Sequence, residues 1–158
     1  MDLKAEALYQ IEATAKFFDR STRCLTEEDS GFRPSPEMMT VAGQVAHAAQ
    51  TLDWFREGGF ANDWQMDFET SMAETAKITS LATARTWMAD AWKRLREAVE
   101  ASSNEELSAI LPDNPILEGR PRYYTIEAIV DHTGHHRGAL SVYSRLLGKT
   151  PDMPYGED

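Results

Sequence analysis

The chain has 158 residues, 42% hydrophobic and 27% charged, with 9 Gly and 7 Pro. That balance suits one globular domain over residues 1–158 with a sizeable core, and it excludes disordered, collagen-like and low-complexity classes. Lys plus Arg number 16 against 26 Asp plus Glu, a formal charge of -10, which is the wrong sign for neutralising phosphates and excludes nucleic acid as the main partner.

The opening MDLKAEALYQIEATAK carries charge in its first residues and lacks the apolar run and cleavage site of a signal peptide. No apolar run approaches the roughly 20 residues of a membrane span. A cytoplasmic protein with no membrane partner is the expectation. Four segments then show helical periodicity, and none alternates like a half-buried strand, which predicts an all-α fold. In the first, Leu3, Ala7, Ile11, Ala15, Phe18, Thr22 and Leu25 share one face. It ends before Thr26, and Pro34 and Pro36 prevent an easy continuation. Cys24, the single cysteine, allows no internal disulfide and suits a reducing compartment. Its position at a helix end with no adjacent His fits a small buried hydrophobe better than a nucleophile.

Thr40 occupies an N-cap position before a second helix with Val41, Val45, Ala48, Leu52 and Phe55 on its stripe, and Gly58-Gly59 is expected to stop it. Residues 60–79 are acidic and irregular and read as a long crossover with room for a short helix. Ser80 or Thr79 caps the third helix, whose face is Leu81, Ala84, Met88, Ala91, Leu95 and Val99. A helical turn over 104–111 precedes a loop with Pro112, Pro115, Gly119 and Pro121. The fourth helix covers about residues 125–147, closed by Gly148 with Pro151 beyond. Four such helices with a long second connection predict a four-helix bundle with a long crossover between helices 2 and 3.

The inward stripe of the last helix runs Ile129, His132, His136, Leu140, Tyr143 and Leu147, so two imidazoles stand in the middle of a buried face. His132 and His136 are i, i+4, a spacing from which two ring nitrogens can converge on one ion. The bland alternative is a pair of hydrogen-bonded core histidines. His47 can add a third ligand from helix 2, where alanines at 46, 48 and 49 would let another helix approach. Several neutral imidazoles in one core without an ion leave lone pairs to satisfy, at roughly 1–3 kcal/mol each. His135 points about 100° away, outside the ligand set. Gly134 and Gly138 lie inside the same helix, where each costs roughly 1 kcal/mol relative to Ala. Close packing of a neighbouring helix is the expected compensation.

Thr40-Val41 to His47 followed by Asp53-Trp54-Phe55, the element from His132 through His135-His136-Arg137-Gly138 to Leu140, the run Val142 to Gly148, and Pro151 with Pro154-Tyr155-Gly156 resemble the DinB/YfiT-like superfamily along nearly the whole chain. The resemblance implies a four-helix bundle, a divalent metal held by His47, His132 and His136, and a homodimeric assembly. Because some members are S-transferases or isomerases that use low-molecular-weight thiols, it also implies a transferase acting on a small-molecule substrate, with such a thiol as a second cofactor. The catalytic residues stay unknown at this level.

A site of three neutral ligands leaves a coordination position open, as catalytic centres require. A metal-dependent, thiol-using S-transferase on a small electrophile is therefore the first expectation, with Zn or Ni as the leading ions for an imidazole site. A metal-dependent hydrolase is the runner-up. A dimeric bundle that binds metal or a small ligand without turnover is the rival from another class. Gln44, Thr51 and Tyr143 lie within a turn of the proposed ligands and are candidate supports or substrate contacts, although ordinary packing also accounts for each.

Overall fold

Three of the four long helices begin where a short polar side chain accepts from a free amide of the first turn. Asp2 accepts from Ala5 ahead of α1 (Leu3–Thr22), Thr40 from Gly43 ahead of α2 (Val41–Ala61), and Ser80 from Thr83 ahead of α4 (Leu81–Ala101). Asp67 and Ser103 do the same for the shorter α3 (Phe68–Ala76) and α5 (Asn104–Ser108), and α6 (Tyr124–Leu146) follows the proline-rich loop. The computed structural model describes residues 2–156, and among them these six helices and a 3-10 turn at Glu27–Asp29 are joined without a strand. The all-α expectation holds. No helix among the described residues is long and apolar enough to cross a membrane.

The second helix does not stop at Gly58-Gly59. It continues to Ala61 and ends at Asn62, whose φ of 56° places it in the left-handed region that Asn tolerates better than most residues. The two glycines have a packing role instead. A Cβ on Gly59 would stand 2.3 Å from Thr125 Oγ1 at the start of α6, and one on Gly58 would stand 2.3 Å from the Trp64 ring. Gly134 and Gly138 show the opposite: a Cβ at either meets nothing within 4 Å. No neighbouring side chain fills the space that either glycine leaves: Gly134 lines a cavity of about 210 Å³ with Gln10, Ala13, Thr14 and Phe17 of α1, and Gly138 is exposed.

α2 is buried nearly all round, with Ala42, Ala46, Ala48 and Ala49 each fully covered. Those short side chains let α4 and α6 both lie against it, and α2 with α4 forms the most extensive helix pair despite the long connection between them. α1 closes the other side against α6 and α4. Ile11, Phe18, Val45, Leu52, Leu81, Leu95, Ile129 and Leu140 meet in the shared core. The 3-10 turn finishes the start of α4: Ser30 Oγ accepts from the Leu81 amide at 2.9 Å and the Glu27 carboxylate from Ala82 at 2.8 Å. At the far end of α1, Arg85 donates to the Thr22 carbonyl at 2.8 Å.

Asp53 ties α2 to α4. Its carboxylate accepts from Arg94 at 2.8 and 2.7 Å and from the Trp87 indole at 2.9 Å. Burial alone would raise its pKa, but the Arg94 and Trp87 hydrogen bonds and the Arg94 charge outweigh that and hold the carboxyl below its ordinary value. Charge-assisted bonds of this kind contribute about 1.5–3 kcal/mol. Because Arg94 is 40% exposed, solvent screening reduces the expectation for Asp53→Asn to a loss of about 1–2 kcal/mol. A depressed folded-state pKa contributes stability that is present above the unfolded value, about 3.9, and lost as pH falls through the folded one. Urea denaturation should therefore separate wild type from Asp53→Asn at pH 7 and at pH 5, with the gap shrinking below pH 4. A gap that persists undiminished at pH 2.5 would assign the effect to shape rather than charge.

Candidate metal centre

Where α2 faces α6, His47 from the first helix meets His132 and His136 from the second. One ligand-capable atom from each of the three lies within 4.8 Å of the others. The His132 and His136 Nε2 atoms are 3.2 Å apart, close to the roughly 3.3 Å expected of two nitrogens on a tetrahedral ion with 2.0–2.1 Å bonds. The three histidines singled out in the sequence are thus brought together. His135 is exposed and lies outside the group, although its ring stacks edge-on against His136 with centroids 4.9 Å apart.

The orientation of His136 follows from a relay of hydrogen bonds. Tyr143 donates its hydroxyl to the Met39 carbonyl at 3.1 Å and accepts from Gln44 Nε2 at 3.3 Å. That leaves Gln44 Oε1 turned toward His136 Nδ1 in a short contact. A carbonyl oxygen can only accept, so Nδ1 carries the proton and the Nε2 lone pair faces His132. Two bare lone pairs at 3.2 Å would repel, so either His132 Nε2 is protonated and donates or a cation stands between the rings. His47 Nδ1 is buried with no hydrogen-bond partner among the described residues, so this ring is not held by a protein hydrogen bond at that nitrogen. These observations fit a metal ion held by His47, His132 and His136.

Charge points the same way. Burial first, then the neighbouring imidazoles, holds His132 down to about 4 and His136 to about 3. Burial and His135 also lower His47. All three rings are therefore neutral near pH 7, the form in which imidazole ligates. Among the described residues the group contains no carboxylate or thiolate, so a divalent ion would keep its full charge and Lewis acidity.

Beside the histidines lies a cavity of about 190 Å³, open on one side and lined by His47, Gln50, Thr51, Trp54, Phe55, Phe68 and His132. Thr51 and Trp54 follow His47 by four and seven positions and so share its side of α2. Phe68 comes from α3, and no periodicity of α2 or α6 announces it. Of the three supports suggested by sequence, Gln44 and Tyr143 hold His136 and Thr51 lines the cavity. Cys24 is half-buried against the core with Sγ 3.4 Å from Ser144 Oγ, and it is not part of the histidine group.

No curated protein matches the chain. A family model described as the DinB superfamily matches residues 10–140, a stretch that takes in most of α1, all of α2 to α5, and α6 through both of its clustered histidines. With more than half of its length matched in this way, the chain belongs to the DinB superfamily.

Proposed function

We propose that the protein is a metal-dependent enzyme that transfers a low-molecular-weight thiol to a small electrophile, its four long helices forming a four-helix bundle with the segment between α2 and α4 as the crossover. One observation carries this reading: three neutral imidazoles converge beside a cavity that reaches solvent, which supports an ion with a coordination position left for a reactant. A divalent ion held there, Zn or Ni by ligand type, supplies the Lewis acidity that makes a thiol ionise near neutral pH. The remaining work falls to the chain itself. Gln44 keeps the proton on His136 Nδ1 and Tyr143 holds Gln44, so the ligating nitrogen is aimed without reorganisation. Trp54, Phe55 and Phe68 give the space where the electrophile lies an apolar wall. In the transfer, the thiolate sulfur forms a bond to carbon and the leaving group departs with the electron pair of the bond that breaks.

The test incubates metal-loaded protein with a panel of cellular thiols and an electrophile, a chlorinated aromatic or an epoxide, beside chelated protein and His132→Ala. Conversion above the uncatalysed rate is expected only in the loaded wild type. Metal-dependent hydrolysis of an ester or amide with no thiol transfer would replace the transferase reading with a hydrolase. Tight metal binding with neither reaction favours a module that binds without turnover.

A further inference from the structure

The cavity next to the histidines has an unusual wall for a protein of charge -10: no Asp, Glu, Lys or Arg among the described residues lines it. Gln50 and Thr51 are its polar side chains apart from the imidazoles, and the rest is aromatic. Trp54 is the fixed panel. Its indole N–H is spent on the Gln65 carbonyl at 2.6 Å, and its ring meets Phe55 at 5.0 Å and Trp64 at 5.1 Å between centroids. Trp64 in turn lies over Gly58, where any Cβ would collide with it. Phe68 is the other panel, 5.6 Å from Trp54 and 49% exposed. It is carried by α3, which packs chiefly on α2. An apolar space of about 150 Å³ suffices for benzene, and this one measures about 190 Å³.

We infer that the electrophile taken by this site is a flat aromatic small molecule without a phosphate or other multiply charged group, and that Trp54 and Phe68 select it by covering its ring. The inference rests on the metal-dependent reading above and names its substrate class. A sugar phosphate or nucleotide would need a cationic side chain that the wall lacks. An aromatic ring loses little conformational entropy on binding and gains edge and face contacts with both panels.

The experiment uses the metal-loaded full-length chain and two probes with the same chelating head, benzohydroxamate and acetohydroxamate, titrated by calorimetry. Benzohydroxamate is expected to bind about tenfold tighter or more. Phe68→Ala, at a half-exposed position that the core does not need, should reduce that preference to about threefold or less with acetohydroxamate affinity unchanged. Trp54→Phe, which keeps an aromatic panel, should retain the preference and abolish most of the tryptophan fluorescence quenching that benzohydroxamate causes in wild type. Equal affinity of the two probes for loaded wild type overturns the aromatic assignment and leaves the metal centre standing. Binding of neither probe overturns the accessible metal centre, and this inference with it. A parallel loss of both affinities in Phe68→Ala overturns the selective role of that ring.

Discussion

Protein purified without a histidine tag is expected to hold about one divalent transition ion per chain, and His136→Ala to lose it, with affinity falling by more than about 100-fold. His47→Ala and His132→Ala should do the same, since the three rings form one compact group. His135→Ala should keep the ion, because that side chain lies on the exposed side of α6. Gln44→Ala should fall between, at about 10–100-fold, since every ligand remains but His136 loses the acceptor that fixes its tautomer. Metal analysis after dialysis, followed by competition with a chromophoric chelator, reads the whole series. Equal losses from all four histidine substitutions would overturn the assignment of the inward face. No uptake of Zn²⁺ or Ni²⁺ by the wild type would overturn the centre itself.

Gly59→Ala is expected to destabilise the chain by about 2–3 kcal/mol, the ordinary range for overpacking a filled contact. The new methyl would stand 2.3, 2.6 and 2.9 Å from the Oγ1, Cγ2 and Cβ atoms of Thr125. Thr125 is fully buried and has nowhere to retreat, so α2 and α6 must separate. A melting temperature lower by roughly 5–10 °C follows for a domain of this size. The same separation would pull His47 away from His132 and His136, so metal affinity should fall together with stability. Gly134→Ala and Gly138→Ala make the identical chemical change on the opposite side of α6, with nothing within 4 Å of either new methyl. There the better helix propensity of Ala should add up to about 1 kcal/mol each. A loss at Gly134 as large as that at Gly59 would mean that the space beside it, lined by Gln10, Ala13, Thr14 and Phe17 of α1, is filled in the working protein.

The contrast between these glycines separates what was legible from what was not. Gly58 and Gly59 have the look of a helix stop, and Gly134 and Gly138 have the look of a close-packed seam. In the folded chain the first pair is the seam and the second is open. Sequence position says how much freedom a glycine adds to its own helix but not which atom stands opposite. The crossover over 60–79 does contain a short helix, Phe68–Ala76, and the helical turn expected over 104–111 is realised over Asn104–Ser108; the caps at Asp67 and Ser103 are visible only in the fold. α2 runs two residues past the Gly58-Gly59 pair because Asn62 in the left-handed region, rather than a glycine, closes it.

The sequence by itself determined the helical class, the long helices and the inward faces of α2 and α6. Burial of apolar side chains at intervals of three and four leaves a periodic trace that is local to each helix. For the same reason the i, i+4 pair His132 and His136 and the lone His47 could be picked out as a set before any fold was known. Only the tertiary structure decided how closely α2 and α6 approach, and so the 3.2 Å between the two Nε2 atoms. It also set the relay from Met39 through Tyr143 and Gln44 to His136, and it brought Phe68 across to Trp54 to complete an aromatic wall. Those features are distances between groups far apart in the chain. They follow from which side chains oppose one another across helices, such as Gly59 against Thr125, and no pattern within a single helix records that.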